Sequence, residues 1–152
     1  MVLAWTLIVM VAMATAQQLG TVTPPYLRTI YVCSSSDASL NGVYQVDESL
    51  RSDDLPVFTR TDQDDDDLAT HDYRLFRHQG YWSFANFASW PPDVMFRCDP
   101  YRNHHEDNVA CEKGQAVPPL SGYTARQADT TLTAPPTLQL HPCALPLAIS
   151  DL

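Results

Sequence analysis

YRLFRHQGYWSFANFASWPPDVMFRC, Tyr73 to Cys98, holds eight of the chain's fifteen aromatic residues: Tyr73, Phe76, Tyr81, Trp82, Phe84, Phe87, Trp90 and Phe96. Aromatic side chains carry the largest burial gain per residue, so this stretch predicts the centre of the core. Tyr73 to Arg77 reads as one arm of a β-hairpin and Tyr81 to Phe84 as the other. His78-Gln79-Gly80 forms the turn, where Gly80 supplies the positive φ of a tight reversal. Period two puts Trp82 and Phe84 on one face, the core face, and Tyr81 and Ser83 on the other. Trp90-Pro91-Pro92 interrupts the pairing, because proline has no amide to give to a ladder. Val94 to Arg97 resumes it.

Outward from the hairpin, Tyr26 to Cys33 reads as a first strand, rich in β-branched and aromatic residues. The turn dipeptide Asn41-Gly42 leads into Val43 to Val46, and Asp47 to Asp54 reads as an acidic loop. Pro56 to Thr59 and Thr137 to Leu140 are further strands. No window shows the i, i+3, i+4, i+7 spacing of an amphipathic helix, and twelve prolines oppose one. The expected fold is all-β, a small antiparallel barrel-like or sandwich domain stapled by two disulfides.

The order of these pieces has a counterpart. Asn41-Gly42-Val43-Tyr44, Pro56-Val57-Phe58, Tyr73-Arg74-Leu75-Phe76, Tyr81-Trp82, Pro118-Pro119-Leu120-Ser121-Gly122-Tyr123 and Ala134-Pro135-Pro136-Thr137-Leu138 follow one another. Together they resemble a small β module that recurs across eukaryotic proteins as NG-x-Y … P-x-Y/F … W … PP-x-x-G-W/Y … PAPTL. The resemblance covers roughly Tyr26 to Leu140. This chain departs from it at Tyr123, where tryptophan is common, and in having cysteines that the module does not need. The resemblance implies an all-β fold and transfers no site residue.

The chain begins with an apolar run, Val2 to Ala14, followed by Ala14-Thr15-Ala16, a small-x-small cleavage pattern. A span of the bilayer takes about 20 apolar residues, so the run reads as a signal peptide rather than an anchor. Residues 1–16 are the expected signal, with cleavage after Ala16, or after Ala14 as second choice. Residues 17–25 are an extended lead-in, 26–143 a single β-rich domain and 144–152 a C-terminal tail. The expected location is secreted and extracellular, with no membrane span after cleavage.

Cys33, Cys98, Cys111 and Cys143 form an even set, which in an oxidising compartment reads as two disulfides. Three pairings are open to four cysteines; Cys98–Cys111 with Cys33–Cys143 is the favoured one. On the chain-entropy argument these contribute about 3 and about 4–5 kcal/mol. Asn41, Asn86, Asn103 and Asn108 all lack the Ser or Thr of a glycosylation sequon.

Net charge is −9, and Lys113 is the only lysine. Such a surface repels phosphate backbones, which excludes nucleic acid as the expected partner. The aspartate-rich run Asp62 to Asp67 offers carboxylates to Ca²⁺, with Asp62, Asp64 and Asp66 as candidate ligands. It is no EF-hand loop: from Asp62 as first position, the sixth is Asp67 instead of glycine and the twelfth Tyr73 instead of glutamate. Any calcium binding is expected to be weak, the solvated loop being the simpler reading, and no other cofactor is assigned. His104-His105-Glu106-Asp107 has metal-capable side chains but reads as a polar loop.

Neither G-x-S-x-G nor H-E-x-x-H is present, and no catalytic residue is assigned. Trp90, beside two prolines, stands between core and surface; with Tyr81 and Tyr101 it could build a flat stacking surface. The function expected is a non-catalytic extracellular binding or interaction module for a protein or glycan. The alternatives are an acidic, calcium-associated matrix protein and a small hydrolase. Oligomeric state is not legible.

Overall fold

The computed structural model describes residues 27–62, 70–99, 111–126 and 134–144. They form one antiparallel sheet of eight strands, curled into a half-barrel. The strands are β1 (Thr29–Cys33), β2 (Gly42–Ser52), β3 (Leu55–Arg60), β4 (Tyr73–His78), β5 (Tyr81–Asn86), β6 (Asp93–Arg97), β7 (Thr124–Ala125) and β8 (Thr137–Gln139). From β7 to β1 the order is a meander, and β8 returns to pair with β1. A single 3₁₀ turn, Ala38–Leu40, joins β1 to β2, capped by the Asp37 side chain accepting from the Ser39 amide.

The fold is all-β, as the hairpin reading implies, and the core lies on one face of the sheet. A row of directly opposed side chains crosses five strands: Val46 faces Phe58, Phe58 faces Leu75, Leu75 faces Phe84 and Phe84 faces Phe96. Ile30, Val32, Leu40, Tyr44, Tyr73, Trp82, Tyr123 and Leu138, with the Cys98 and Cys111 pair, complete this cluster. Tyr44 and Tyr123 both meet Phe84 edge-on, at centroid distances of 5.8 and 5.1 Å. Such ring pairs contribute about 0.5–1.5 kcal/mol beyond their area.

Two disulfides fix the ends of the curl. Cys33–Cys143 bridges a sequence separation of 110 residues with Cα atoms 5.9 Å apart. Cys98–Cys111 closes a 13-residue separation at 5.3 Å, its sulfurs buried in the main core. The pairing favoured from the sequence is the one present.

The central reversal is tighter than the three-residue turn read from the sequence. His78 belongs to β4 and pairs with Tyr81, leaving Gln79-Gly80 as a two-residue turn. Both have positive φ, +54° and +86°, the combination that matches the twist of flanking strands. Asp47 to Asp54 also departs from expectation. Instead of a loop, β2 continues to Ser52 through a bulge between Asp47 and Arg51. Ser49 organises that bulge, donating its hydroxyl and amide to Asp47 Oδ1 at 2.6 and 2.8 Å. These bonds, first the hydroxyl's and then the amide's, hold the Asp47 carboxyl below its ordinary pKa. The two-residue β7 was not legible, since it exists only through pairing with Phe96 and Arg97.

The Asn41-Gly42-Val43-Tyr44 motif has a structural job at each polar position. Asn41 Oδ1 accepts from the Ser35 amide at 2.9 Å, and the Tyr44 hydroxyl donates to Leu40 O at 3.0 Å. Gly42 has φ +153°, and a Cβ there would sit 2.5 Å from Asp62 Oδ1 and 2.6 Å from Arg60 Nε. Gly42→Ala is therefore expected to destabilise by about 1–3 kcal/mol. Urea unfolding measures it, and a loss below about 0.5 kcal/mol would show the Arg60–Asp62 pair simply stepping aside.

Burial raises the Tyr44 and Tyr123 pKa values far above the ordinary 10.0. Each native phenol keeps a proton that the unfolded chain releases above that pH. Their stabilisation is complete below pH 10 and declines as pH rises towards the native values. Together they are expected to remove on the order of 3 kcal/mol of stability per pH unit above 10. Denaturant titrations at pH 9 and 11 read the loss; an unchanged midpoint would contradict it.

A candidate binding groove beneath Trp90

The face opposite the main core carries a second, smaller apolar cluster. Val57, Phe76 and Ala85 are buried there, with Leu50, Phe87 and Val94 packed against them. Strand alternation puts them in place: Phe58 and Leu75 point into the core, so their neighbours Val57 and Phe76 point the other way. Ladder neighbours align Arg74, Ala85 and Val94 across β4, β5 and β6. Apart from Ala85, this cluster floors a groove of about 420 Å³ whose wall is Trp90, Pro91 and Pro92.

Trp90 is 87% exposed. Burying such a ring would contribute on the order of 2–3 kcal/mol, a gain the isolated chain leaves unrealised. The loop that holds it is anchored at its base. Asn86 Oδ1 accepts from the amides of Asp72 and Ala88, both at 3.0 Å, and the Phe87 amide donates to Asp72 O at 2.8 Å. Phe87 meets Phe76 edge-on at 5.3 Å, and the Arg74 guanidinium lies 4.6 Å over the Phe87 ring. Arg74 is further held by a two-pronged pair with Asp72.

Charge along the groove runs against the chain's composition. Carboxylates outnumber lysine and arginine eighteen to nine, yet the ionisable lining residues are Arg51, Arg74 and His78. His78 and Arg74 lie at opposite ends of β4, with Phe76 between them, a spread of about 13 Å at strand rise. Arg51 lies near the His78 end: Ser52, the next residue, donates its hydroxyl to Arg77 O at 2.6 Å. Arg51 and His78 are both exposed.

The three aromatic residues read from the sequence as one surface separate. Trp90 forms the groove wall. Tyr81 shares the groove's face of the sheet but is 8% exposed, with the Arg97 guanidinium 4.9 Å over its ring. It stands covered, not beside Trp90, because β6 brings Arg97 opposite Ser83. Tyr101 lies outside the described residues. Of the candidate calcium ligands, Asp62 accepts from Arg60 Nε at 2.9 Å, and Asp64 and Asp66 lie outside the described residues, as do His104 to Asp107. Among the described residues no group of three His, Cys, Asp or Glu side chains is placed to hold a metal.

Sequence reasoning missed the floor of the groove. Its signal was the doublets Val57-Phe58 and Leu75-Phe76, where alternation places a large apolar side chain on each face. Neither a family model, nor a curated protein, nor a solved structure matches this chain.

Proposed function

We propose that the protein is a non-catalytic binding module, and that its ligand seats in the groove beneath Trp90. The observation that carries this is a nearly fully exposed tryptophan on an anchored loop, over an apolar floor. Exposed apolar patches of this kind, rimmed by polar groups, mark interaction sites. Pre-anchoring the loop reduces the ordering cost of association.

Of the two ligand classes expected from the sequence, protein is favoured over glycan. A sugar ring needs hydrogen-bond partners for its hydroxyls beside the stacking ring. Here the floor is Val57, Phe76 and Val94, and Arg74 is already occupied by Asp72. An extracellular setting is part of the proposal. Two disulfides support it, since such bonds persist in oxidising compartments. No helix among the described residues is long and apolar enough to cross a membrane.

The test screens wild type and Trp90→Ala in parallel against displayed peptides and arrayed glycans. Peptide ligands are expected whose affinity falls about thirtyfold on Trp90→Ala, the cost of a central anchor. Melting temperature should be unaltered, the ring being exposed. Ligands that bind both forms equally would remove the groove from consideration.

A further inference from the structure

The rim of the groove indicates what kind of partner it takes, given the binding-module reading on which this step rests. From the groove we infer that the partner presents an acidic peptide segment, an apolar side chain flanked by carboxylates. The apolar side chain rests on Phe76 and Val94 against Trp90, and the carboxylates face Arg51 and His78.

Three observations converge on this. The ionisable lining residues are all basic, in a chain of net charge −9. Arg74 is committed to Asp72 and to the Phe87 ring, whereas Arg51 and His78 stand exposed at the other end. Complementary rim charge of this type sets partner choice and encounter rate. A second copy of this chain, equally acidic overall, is disfavoured by long-range repulsion. The groove also lies open on a sheet face. Small-molecule sites bury some 70–90% of their ligand, and an open trough leaves that covering to the rest of a protein partner.

The experiment selects random dodecapeptides displayed on phage against the wild-type protein, then removes those that still bind Trp90→Ala. The Trp90-dependent set is expected to be net negative around an aromatic or aliphatic residue. A synthetic member should weaken about tenfold or more in R51E/H78E and at high salt. An unaltered melting temperature in that variant confirms that the fold is intact. A Trp90-dependent set that is neutral or basic, or indifferent to the charge reversal, overturns the acidic partner and leaves the binding module standing. Recovery of no Trp90-dependent peptide overturns both. Trp90-dependent binding to phosphatidylserine vesicles in place of peptide overturns the protein partner in favour of an anionic lipid surface.

Discussion

Trp82→Ala is expected to cost about 3–5 kcal/mol of folding stability. The indole is 1% exposed and packs at 6.1 Å from the Phe58 ring. Its Nε1 donates to Gln115 O at 3.0 Å, which ties β5 to the segment that follows Cys111. Truncation leaves a cavity that the facing strands, cross-paired on both sides, cannot collapse to fill. Arg77, opposite Trp82 on β4, shares that acceptor at 3.1 Å and also reaches Gly114 O and Asp53 O. The loss therefore loosens a polar cluster as well as a packed one. Small domains hold about 5–15 kcal/mol in total, so much of that margin goes with one side chain. Guanidinium unfolding monitored by far-ultraviolet dichroism gives the value. A cost below about 1.5 kcal/mol would mean that the main core is organised around some other ring.

The second large effect is expected from replacing Cys33 and Cys143 together by serine. The bridge spans 110 residues, and the chain-entropy relation gives about 5 kcal/mol for a loop of that length. The corresponding pair of changes at Cys98 and Cys111 closes only 13 residues and is expected to cost about 3 kcal/mol by the same relation. The difference has a structural counterpart. Cys33 ends β1, and Cys143 follows β8, the strand paired with it at Tyr31, Val32 and Cys33. Without the bridge, three residues of β8 must find their place from the far end of the chain. Denaturant midpoints of the two double variants, compared at equal m-value, decide the matter. Equal losses would show that unfolded-chain entropy is not what separates the bridges.

Much of this architecture is written locally. The hairpin from Tyr73 to Phe84 is legible because ring density, alternation and Gly80 agree with one another. The start of β2 is legible because Asn41-Gly42 is a turn signal. What was not legible depends on partners far away. β2 runs beyond its apolar portion through Asp47 to Ser52 because β3 offers a ladder there, and pairing overrides composition. β7 is two residues long and has no signature apart from β6. The candidate site follows the same rule. Trp90 stood out beside two prolines, but the covering of Tyr81 by Arg97 required β6 to lie alongside β5. The floor needed the curl of the sheet to gather Leu50, Val57, Phe76, Phe87 and Val94 from four strands and a loop.

An open sheet leaves two rims, and rims invite copies of a molecule to stack side by side into fibrils. Here the rim strands span only two and three residues, too short to template a neighbour. The exposed side of β8 is also engaged: the Leu138 amide donates to Leu120 O at 2.8 Å, a carbonyl in the proline-rich turn before Tyr123. That bond is a guard rail. Shortening the turn would uncover it, and the first sign would be thioflavin-positive aggregates on storage, well before any change in the melting curve.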